Sequence, residues 1–581
     1  MNQLEDAWQN RVEAVLRTLH PSLSPDQIPT VVAERPPRLD MGDLAFPMFA
    51  FAKAFRQAPP VIAKLVAEKL DGPGKVVALG PYVNIHYSRP EVIRNVVESA
   101  RKQGAAYGSS RRLAGQRIML EFSSPNTNKP LHLGHLRNNT LGEAVSRLLK
   151  ASGAEVRKVN LINDRGVHIC KSMLAYQKFG QGSTPEQAGR KSDHFVGDFY
   201  VKFAQWAATD ETAEAQSQEL LRLWEAQDPA TRDLWARMNQ WAVEGILKTY
   251  ERTGIHFDAI YYESQTYQLG KEEIYRGLEK GVFSRRADGA VVVDLPWKNS
   301  PEDEVNAQKV LLRADGTSIY LTQDIGTAIS RHKDWPFDQL IYVVANEQDY
   351  HFKVLFYVLG LLGQTWASQL FHLSYGMVNL PEGRMKSREG TVVDADNLIT
   401  ELRDGAVQEI RSKGREEEVD GLEATAEAIA LGALHYYLLQ ATPTKDMIFN
   451  PEESLSFNGN TGPYLQYTGA RLSSMLHKAK ENPSPAEFRP ECLTTEIEWE
   501  LVKLIADFSQ MVERGALSKD PSLVAAYLYD VAKAFSRFYH DCPILTAEAE
   551  VSASRLALSE AVLTVLKNGF ELLNIPFLRS M

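Results

Sequence analysis

Hydrophobic positions recur at helical spacing along most of the chain, but short apolar runs bounded by turn residues appear in its central part. Between residue 116 and about residue 395, these runs alternate with helical patterns, which is typical of a doubly wound parallel sheet. The predicted strands are Arg117–Phe122, Glu155–Leu161, Gln339–Ala345 and Phe371–Gly376. Two Asp-Gly pairs, Asp288-Gly289 and Asp315-Gly316, predict hairpins within the same region.

The patterns on either side of this region differ from it. Residues 1–107 mix helical and strand patterns, with a strand signal at 76–87 broken at Gly80-Pro81, and predict a separate N-terminal α+β domain. A charged, Trp-containing helical stretch at about residues 181–250 predicts an insertion between the two halves of the sheet. Beyond the sheet, we predict a helical connecting region over 396–455 and an all-α domain over 456–581. The predicted fold is therefore multidomain α/β, with a Rossmann-like sheet at 116–395.

Composition limits the class of protein. The chain has 581 residues, 44% hydrophobic and 24% charged, as in ordinary soluble globular proteins, and a net charge of −10. Three widely separated cysteines, Cys170, Cys492 and Cys542, argue against a disulfide framework or a thiolate zinc site and favour a reducing cytoplasm. The first residues are polar, unlike a signal peptide, and the longest apolar stretch, residues 428–441, is too short to span a bilayer. We therefore predict a cytoplasmic protein that does not bind membranes.

The most informative stretch is residues 117–142. A buried strand is followed by a polar loop with Asn126 and Lys129, and then by a helix that begins near His132-Leu133-Gly134-His135. Main-chain N–H groups at a helix N-terminus bind phosphate, imidazoles can add hydrogen bonds, and a lysine can add a full positive charge. Gly134 leaves room for a flat ring to approach the backbone. The alternative is a helix start that happens to carry two histidines; a zinc site is disfavoured because HxxH lacks the glutamate of HExxH.

A second element lies far downstream, in a basic loop bounded by glycines, Gly383 to Gly390, with the sequence Arg-Met-Lys-Ser-Arg between Arg384 and Arg388. Such a loop can close over a triphosphate and hold the leaving pyrophosphate. Taken alone, a charged loop is more often solvated surface, so its meaning depends on the HLGH stretch on the other side of the predicted sheet.

Together the two elements resemble the HIGH and KMSKS signatures of class I aminoacyl-tRNA synthetases, and most closely those of the arginyl-tRNA synthetase family. Further segments similar to that family are Glu121–Arg137, Tyr320–Asp324, Gly376–Val378, Thr461–Arg471, Gly42-Asp43 and Gly80-Pro81-Tyr82, so the resemblance spans nearly the whole chain. The loop departs from KMSKS, because Lys386 lies one residue early and Ser387 stands where the second lysine would be. Many arginine enzymes lack that lysine, and Lys129 matches the upstream lysine thought to compensate.

The resemblance implies an arginine–tRNA ligase. It implies that L-arginine reacts with ATP to give arginyl-adenylate and pyrophosphate, generally only when tRNA is bound, and that arginine then passes to the 3′-terminal ribose of tRNA(Arg). The implied partners are tRNA(Arg), L-arginine and ATP with Mg²⁺, and a monomer is expected, with no zinc. The N-terminal domain would bind the tRNA elbow at the D-loop, and the C-terminal domain the anticodon loop.

The resemblance also assigns residues to each task. The catalytic set is Lys129, His132, His135 and Lys386, and the ATP-binding set is His132, Gly134, His135, Met377, Val378, Met385, Lys386 and Ser387. The arginine-binding set is Asn126, Glu263, Tyr320, Asp324 and Gln348, whose acids, amides and phenol suit a guanidinium and an α-amino group. The tRNA-binding set is Tyr82, Asn84, Tyr467 and Arg471.

Each assignment has a structural alternative. Glu263 alone would be a surface acid, Gln348 could cap the helix after residue 345, and Tyr82 could be a core residue of its small domain. Two other functions also remain open: another nucleotidyl transferase with a HIGH motif, although such chains are much shorter, and a non-catalytic tRNA-binding paralogue. The irregular loop is the only support for the paralogue.

Overall fold

The computed structural model describes residues 2–21, 27–34, 36–38, 41–72, 74–298, 307–381, 393–417, 419, 421–481 and 486–581. Its first elements are α1 Asn2–Leu19, β1 Leu44–Pro47, α2 Ala52–Phe55, α3 Pro59–Lys69, β2 Gly74–Leu79, β3 Tyr82–Tyr87 and α4 Arg89–Gln103. The strand break expected at Gly80-Pro81 is the turn between β2 and β3, where Gly80 adopts a φ of 56°.

The N-terminal sheet has the order β1-β3-β2, with both pairings antiparallel. Its central strand is therefore β3. The sequence analysis did not anticipate β1. Phe46 of β1 and Val83 and Ile85 of β3 are fully buried and pack a small core with α3. This central position determines which side chains of β3 reach the surface.

The elements of the next region are β4 Arg117–Glu121, α5 Leu133–Ala151, β5 Glu155–Ile162, α6 Val167–Phe179, α7 Ser192–Ala207, α8 Thr212–Glu225, α9 Pro229–Thr253, β6 Ala259–Tyr262, α10 Glu263–Thr266, α11 Leu269–Glu279, β7 Ser284–Arg285, β8 Val291–Asp294, β9 Gln308–Leu312, α12 Tyr320–Asp334, β10 Gln339–Ala345, α13 Asp349–Leu361, β11 Leu370–Tyr375 and β12 Val378–Asn379. Five of the strands form a parallel sheet in the order β11-β10-β4-β5-β6. The predicted doubly wound sheet is confirmed.

Chain order runs from β4 to β6 on one side and from β10 to β11 on the other, so the strand order reverses beside β4. Ligands bind such sheets at this reversal, outside the carboxyl ends of the strands.

The insertion folds as helices α7, α8 and α9 and packs with α6 around a core rich in aromatic rings. Tyr176, Phe195, Phe199 and Trp241 meet edge to face, with ring centroids 5.1–6.2 Å apart. Such pairs add specific geometry to the burial of apolar surface. The insertion is thus a packed helical body.

A smaller antiparallel sheet, β7-β8-β9, follows the insertion. The hairpin expected at Asp288-Gly289 joins β7 to β8 and is confirmed. The second expected hairpin, at Asp315-Gly316, differs. Arg313 N–H donates to the Thr317 carbonyl at 3.0 Å and a single bridge joins Leu312 to Ser318. The chain then begins α12 at Tyr320 instead of returning as a strand.

The remaining elements are almost all helical, as predicted: α14 Ala395–Ser412, α15 Leu422–Leu439, β13 Met447–Ile448, α16 Pro451–Ser454, α17 Gly462–Glu481, α18 Glu496–Ser518, α19 Ser522–Asp541 and α20 Ala549–Leu572. The short β13 pairs in parallel with β12. No helix in the described ranges is long and apolar enough to cross a bilayer.

The chain divides into two compact units that are both discontinuous in sequence. The first unit comprises residues 1–108, 471–511 and 527–568, and the second comprises residues 109–470, 512–526 and 569–581. Within the first unit, an ion pair of 2.7 Å joins Arg101 Nε to Glu560. Within the second, a buried ion pair of 2.8 Å joins Lys158 to Glu143.

Candidate active site

Two histidines cap the N-terminus of α5. His132 is the N-cap residue, in an extended conformation, and its Nδ1 accepts a hydrogen bond from the Gly134 N–H at 3.1 Å. The His132 N–H in turn donates to Nδ1 of His135 at 3.2 Å, which completes a reciprocal capping box. The ring centroids lie 4.0 Å apart. His132 therefore lies one position before the helix, not inside it, yet the two imidazoles still form one surface.

This capping arrangement fixes the protonation of both rings. Because each Nδ1 accepts a backbone hydrogen bond, the ring proton of each neutral histidine resides on Nε2. Burial, with the positive charge of Lys129, lowers the pKa of His132 to about 4 against the opposing effect of Asp394. Burial, with the charges of His132 and Lys129, also lowers the pKa of His135 well below its usual range. Both rings are neutral near pH 7 and present Nε2–H donors.

Lys129 is half-buried beside these rings. Burial lowers its pKa, and its charge contributes to the lowered pKa values of His132, His135 and His168. No carboxylate among the described residues forms an ion pair with it. Its charge is therefore available to an anionic ligand at the start of α5.

Close approaches leave little room for a side chain at Gly134 and none at Gly197. A Cβ on Gly134 would lie 3.0 Å from Cε1 of His132, so the ring that needs room in this structure is the N-cap imidazole. A Cβ on Gly197, in α7, would lie 2.8 Å from Cδ of Pro130. The insertion thus packs directly against the residue that follows Lys129.

The predicted ATP-binding residues Met377 and Val378 follow β11 and are anchored to α5. Arg137 donates to the carbonyl of Met377 at 3.3 Å and to that of Lys445 at 2.7 Å, and Met377 N–H donates to Asp446 Oδ1 at 2.7 Å. The predicted loop residues Met385, Lys386 and Ser387 lie outside the described residues. Leu133 N–H, at the start of α5, donates to the carbonyl of Val393 at 3.1 Å.

The parallel sheet brings the predicted arginine-binding residues to one edge. Asn126 follows β4, Glu263 follows β6 and Gln348 follows β10. All three strands are parallel, so these residues lie at the carboxyl edge of the same sheet. The fold thus explains why residues separated by more than 200 positions can belong to one site.

Glu263 is a buried acid, so the alternative of a surface acid is wrong. Its side chain is 6% exposed at the start of α10, and it lines a polar cavity of about 680 Å³ together with Arg165, Tyr267 and Tyr320. Burial raises its pKa to about 7, with Asp164 and Asp324 adding to the rise and Arg165 opposing it. A carboxyl with a displaced pKa in a cavity is typical of a ligand site.

Tyr320 and Asp324 lie at the start of α12, as their four-residue spacing suggested. Tyr320 is 70% exposed, whereas Asp324 is half-buried and meets His351 Nε2 at 2.6 Å. Gln348 occupies the N-cap position of α13, but its exposed side chain makes no capping hydrogen bond. The capping alternative for Gln348 is therefore wrong, and its amide is available to a ligand.

The predicted tRNA-binding residues differ in exposure. Tyr82 is half-buried and meets Phe49, which is 54% exposed, edge to face at 5.6 Å. Asn84 is only 3% exposed, because it lies in the middle of β3 between β1 and β2. Tyr467 and Arg471 are half-buried on α17, and the Arg471 guanidinium stacks on Tyr539 at 5.3 Å. Tyr82 is thus better placed for a base than Asn84.

One cluster in the described ranges has metal-ligand chemistry: Asp193, His194 and Asp396, with ligand atoms within 4.8 Å of one another. The ammonium group of Lys191 already pairs with both carboxylates, because its Nζ lies 3.0 Å from Asp193 and 2.7 Å from Asp396. The cluster is an ion-pair network, and its positive charge comes from the chain itself.

The sequence analysis missed several residues of this site. His351 is three residues after Gln348 and could have been found from that spacing. Arg137, which holds the 377–378 segment, ends the family-like segment Glu121–Arg137 but was assigned no role. Arg165, which lines the cavity, lies outside the segments that resemble the family and carries no motif-level signal.

Comparisons with known proteins agree with this geometry. The tRNA synthetases class I (R) catalytic domain matches residues 96–451, the arginyl tRNA synthetase N terminal domain matches 6–87, and the DALR anticodon binding domain matches 465–581. The arginine–tRNA ligase of Treponema denticola is 55% identical over 100% of both chains, and that of Borreliella burgdorferi is 47% identical over 94% of both.

Solved structures show the same architecture. Thermus thermophilus arginyl-tRNA synthetase is 25% identical, with a TM-score of 0.78 over 99% of this chain and 100% of that chain. The Plasmodium falciparum arginyl-tRNA synthetase, 18% identical with a TM-score of 0.75 over 99% and 98%, shares the fold. With full-length relatives above half identity and three family domains in order, this chain belongs to the arginyl-tRNA synthetase family.

Proposed function

We propose that the chain is an arginine–tRNA ligase that activates L-arginine with ATP and transfers the arginyl group to tRNA(Arg). One observation carries the proposal. The two neutral histidines that cap α5 lie at the same carboxyl edge of the sheet as the buried acid Glu263, in a chain of this family. The histidines suit a triphosphate, and the acid suits a cationic amino acid.

In the first step, the arginine carboxylate attacks the α-phosphorus of ATP. A phosphorus–oxygen bond forms to the carboxylate, the bond to the β-phosphate oxygen breaks, and pyrophosphate leaves with the electron pair. The Nε2–H groups of His132 and His135 donate to phosphate oxygens as charge builds up, and Lys129 adds fixed positive charge. No proton transfer by either histidine is needed, in accordance with their lowered pKa values.

Arginine is selected by acids and amides. Glu263 and Asp324 supply carboxylates for the guanidinium and the α-amino group, and Asn126, Tyr320 and Gln348 supply neutral hydrogen-bonding groups. A ligand that lacks the planar fork of donors leaves a buried acceptor unpaired, at a cost of about 1–3 kcal/mol per lost partner. This cost favours arginine over lysine.

Mg²⁺ would enter with the triphosphate, held by phosphate oxygens and water. The groups around the HLGH turn are nitrogen donors and a cation, which fit phosphate better than a metal. Lys386, with Met385 and Ser387, would contact the pyrophosphate from the 383–390 loop. Met377 and Val378, at the end of β11, would contact the adenosine.

In the second step, a hydroxyl of the 3′-terminal ribose attacks the carbonyl carbon of arginyl-adenylate. An ester forms, the anhydride bond breaks, and AMP leaves with its phosphate taking up the proton of the attacking hydroxyl. The first 107 residues would contact the tRNA elbow through Tyr82, and the helical domain the anticodon loop through Tyr467 and Arg471. We expect the enzyme to act as a monomer in the cytoplasm.

Pyrophosphate exchange tests this function. We expect exchange that depends on arginine and ATP and is stimulated by tRNA(Arg). Absence of exchange with and without tRNA would leave the non-catalytic paralogue, and exchange with another amino acid would overturn the choice of arginine. Exchange with a carboxylic acid that is not an amino acid would favour another HIGH-type nucleotidyl transferase.

A further inference from the structure

The segment that carries Asn126 and Lys129 begins with a strained turn. Ser123 and Ser124, directly after β4 and Phe122, have φ values of 73° and 46°. Residues with a Cβ avoid this left-handed region, because the Cβ there crowds the following carbonyl oxygen. Two consecutive residues of this kind persist only where the surroundings hold them.

A closed set of buried hydrogen bonds holds the turn. Ser124 N–H donates to Asn160 Oδ1 at 3.0 Å, and Asn160 Nδ2 donates to Tyr250 Oη at 3.1 Å. Tyr250 Oη lies 2.6 Å from Ser123 Oγ, with the proton supplied by either hydroxyl. Asn160 is fully buried and Tyr250 is 2% exposed. These bonds gain in strength because they are shielded from water.

A second bond ties the turn to the helix of the two histidines. Ser123 N–H donates to Oδ1 of Asn138 at 2.5 Å, and Asn138 lies in α5. Its Nδ2 donates to the carbonyl of Val343 at 2.7 Å and to Tyr375 Oη at 3.1 Å. The turn, α5 and two strands of the sheet are therefore locked in one arrangement.

The helical insertion contacts the same segment at three points. Tyr250 of α9 bonds Ser123, Asn239 of α9 accepts a hydrogen bond from the Thr127 hydroxyl, and Gly197 of α7 packs against Pro130. These contacts span the segment from the turn to the residue after Lys129. The insertion thus supports one whole side of it.

We propose that the insertion is a brace for arginine activation, with Tyr250 and Asn160 as positioning residues that hold the left-handed Ser123-Ser124 turn and so fix Asn126 and Lys129 relative to α5. This inference rests on the proposed function. Neither positioning residue touches substrate; each acts through the backbone of the turn.

The principal test compares three variants in the full chain. Tyr250→Phe keeps the ring, which packs 5.2 Å from Phe257, and removes only the hydroxyl. We expect kcat for arginine-dependent pyrophosphate exchange to fall about tenfold, since a buried hydrogen-bond partner is lost. Tyr176→Phe is the matched control, because Tyr176 of α6 is also buried, packs against the insertion, and donates its hydroxyl to the Ser183 carbonyl. We expect its exchange to stay at the wild-type rate.

Rescue separates positioning from general packing. Glycine adopts a positive φ without a Cβ penalty, so Ser124→Gly in the Tyr250→Phe background should restore most of the lost kcat. Ser124→Ala also removes the hydroxyl but keeps the Cβ, so the corresponding double variant should stay slow. Equal rates for the two double variants, or a wild-type rate for Tyr250→Phe, would overturn the brace.

A measurement without turnover keeps the brace and the function separate. Amide hydrogen exchange of the peptide covering residues 120–131 should be faster in Tyr250→Phe than in Tyr176→Phe. Equal rates of amide hydrogen exchange in the two variants would overturn the brace, even if the wild-type enzyme charges tRNA. Loss of arginine-dependent pyrophosphate exchange in the wild type would instead overturn the function, while the hydrogen exchange result would still decide the brace.

Discussion

His194 bridges two carboxylates, with Nε2 2.8 Å from Asp394 and Nδ1 3.1 Å from Asp193. Asp394 is the N-cap of α14 and forms an antiparallel bridge with His132. An ion pair from α7 of the insertion therefore ends beside the imidazole that caps α5. The contact lies just after the 382–392 stretch that carries the basic loop.

The ion pair predicts a pH-dependent contribution to stability. Burial lowers the pKa of His194, but its bonds to Asp193 and Asp394 outweigh burial and raise it to about 9. A raised histidine pKa stabilises the fold fully below the unfolded value of about 6.5 and ceases to do so as pH rises through 9. We expect His194→Gln to lose about 1–3 kcal/mol at pH 6 and almost nothing at pH 10.

Thermal unfolding at the two pH values measures this difference. His477→Gln is the control, because the His477 side chain is 77% exposed and lies 3.6 Å from Glu481. A His194→Gln defect of the same size at pH 6 and pH 10 would show that shape, not charge, matters at this position.

Lys129 should act on the chemical step and not on tRNA. We expect Lys129→Ala to slow pyrophosphate exchange about 100-fold, since a fixed charge near the reacting phosphate is lost. The Kd for tRNA(Arg) should remain near the wild-type value, and Lys150→Ala, at the exposed end of the same helix, should leave exchange unchanged. Equal loss of exchange and tRNA binding in Lys129→Ala would indicate a structural role for the lysine.

Glu263 should give arginine binding its pH dependence. Its pKa of about 7 means that the carboxylate form predominates only above that pH. We expect kcat/KM for arginine to fall about tenfold per pH unit below 7 in the wild type. Glu263→Gln should raise KM for arginine about 10–100-fold, because a charge-assisted bond is lost, and should abolish this slope. If kcat/KM for arginine falls with the same slope below pH 7 in the wild type and in Glu263→Gln, the titrating group is not Glu263.

Tyr82 should contribute to tRNA affinity through stacking. We expect Tyr82→Ala to weaken tRNA(Arg) binding about 10–100-fold, since a stacked base contributes roughly 1–3 kcal/mol. Tyr82→Phe keeps the ring and should bind nearly as the wild type does, as measured by filter binding. If Tyr82→Ala also binds normally, Tyr82 is a packing residue beside Phe49.

Sequence patterns predicted long elements better than short ones. The strand Gln339–Ala345 was found with its observed limits because six apolar residues stand together in a largely buried run. Strand β6, Ala259–Tyr262, was missed, since its four residues are only half-buried and carry no apolar alternation. Strand β1, Leu44–Pro47, is mostly buried but was missed because its run is only four residues long and ends in proline. Without β1, the central position of β3 and the burial of Asn84 could not be inferred.

The sequence nominated residues for the site but could not supply their hydrogen-bond geometry or their pKa values. The HLGH spacing indicated a helix start, yet the capping bonds that fix the Nε2 proton on both rings depend on ring orientation. The raised pKa of Glu263 depends on burial against Asp164 and Asp324, which follow β5 and begin α12 far apart in sequence. Such charges meet only after the parallel sheet has formed.

The interleaving of the two units bears on the order of synthesis. Residues 569–581 complete the second unit: His435 Nδ1 lies 2.6 Å from the Asn574 carbonyl, Gln466 donates to the Pro576 carbonyl at 2.9 Å, and Arg415 donates to the Met581 carbonyl at 3.2 Å. A ribosome makes these residues hundreds of positions after the HLGH stretch. The second unit of a nascent chain therefore gains these three contacts only after residues 574–581 have been made.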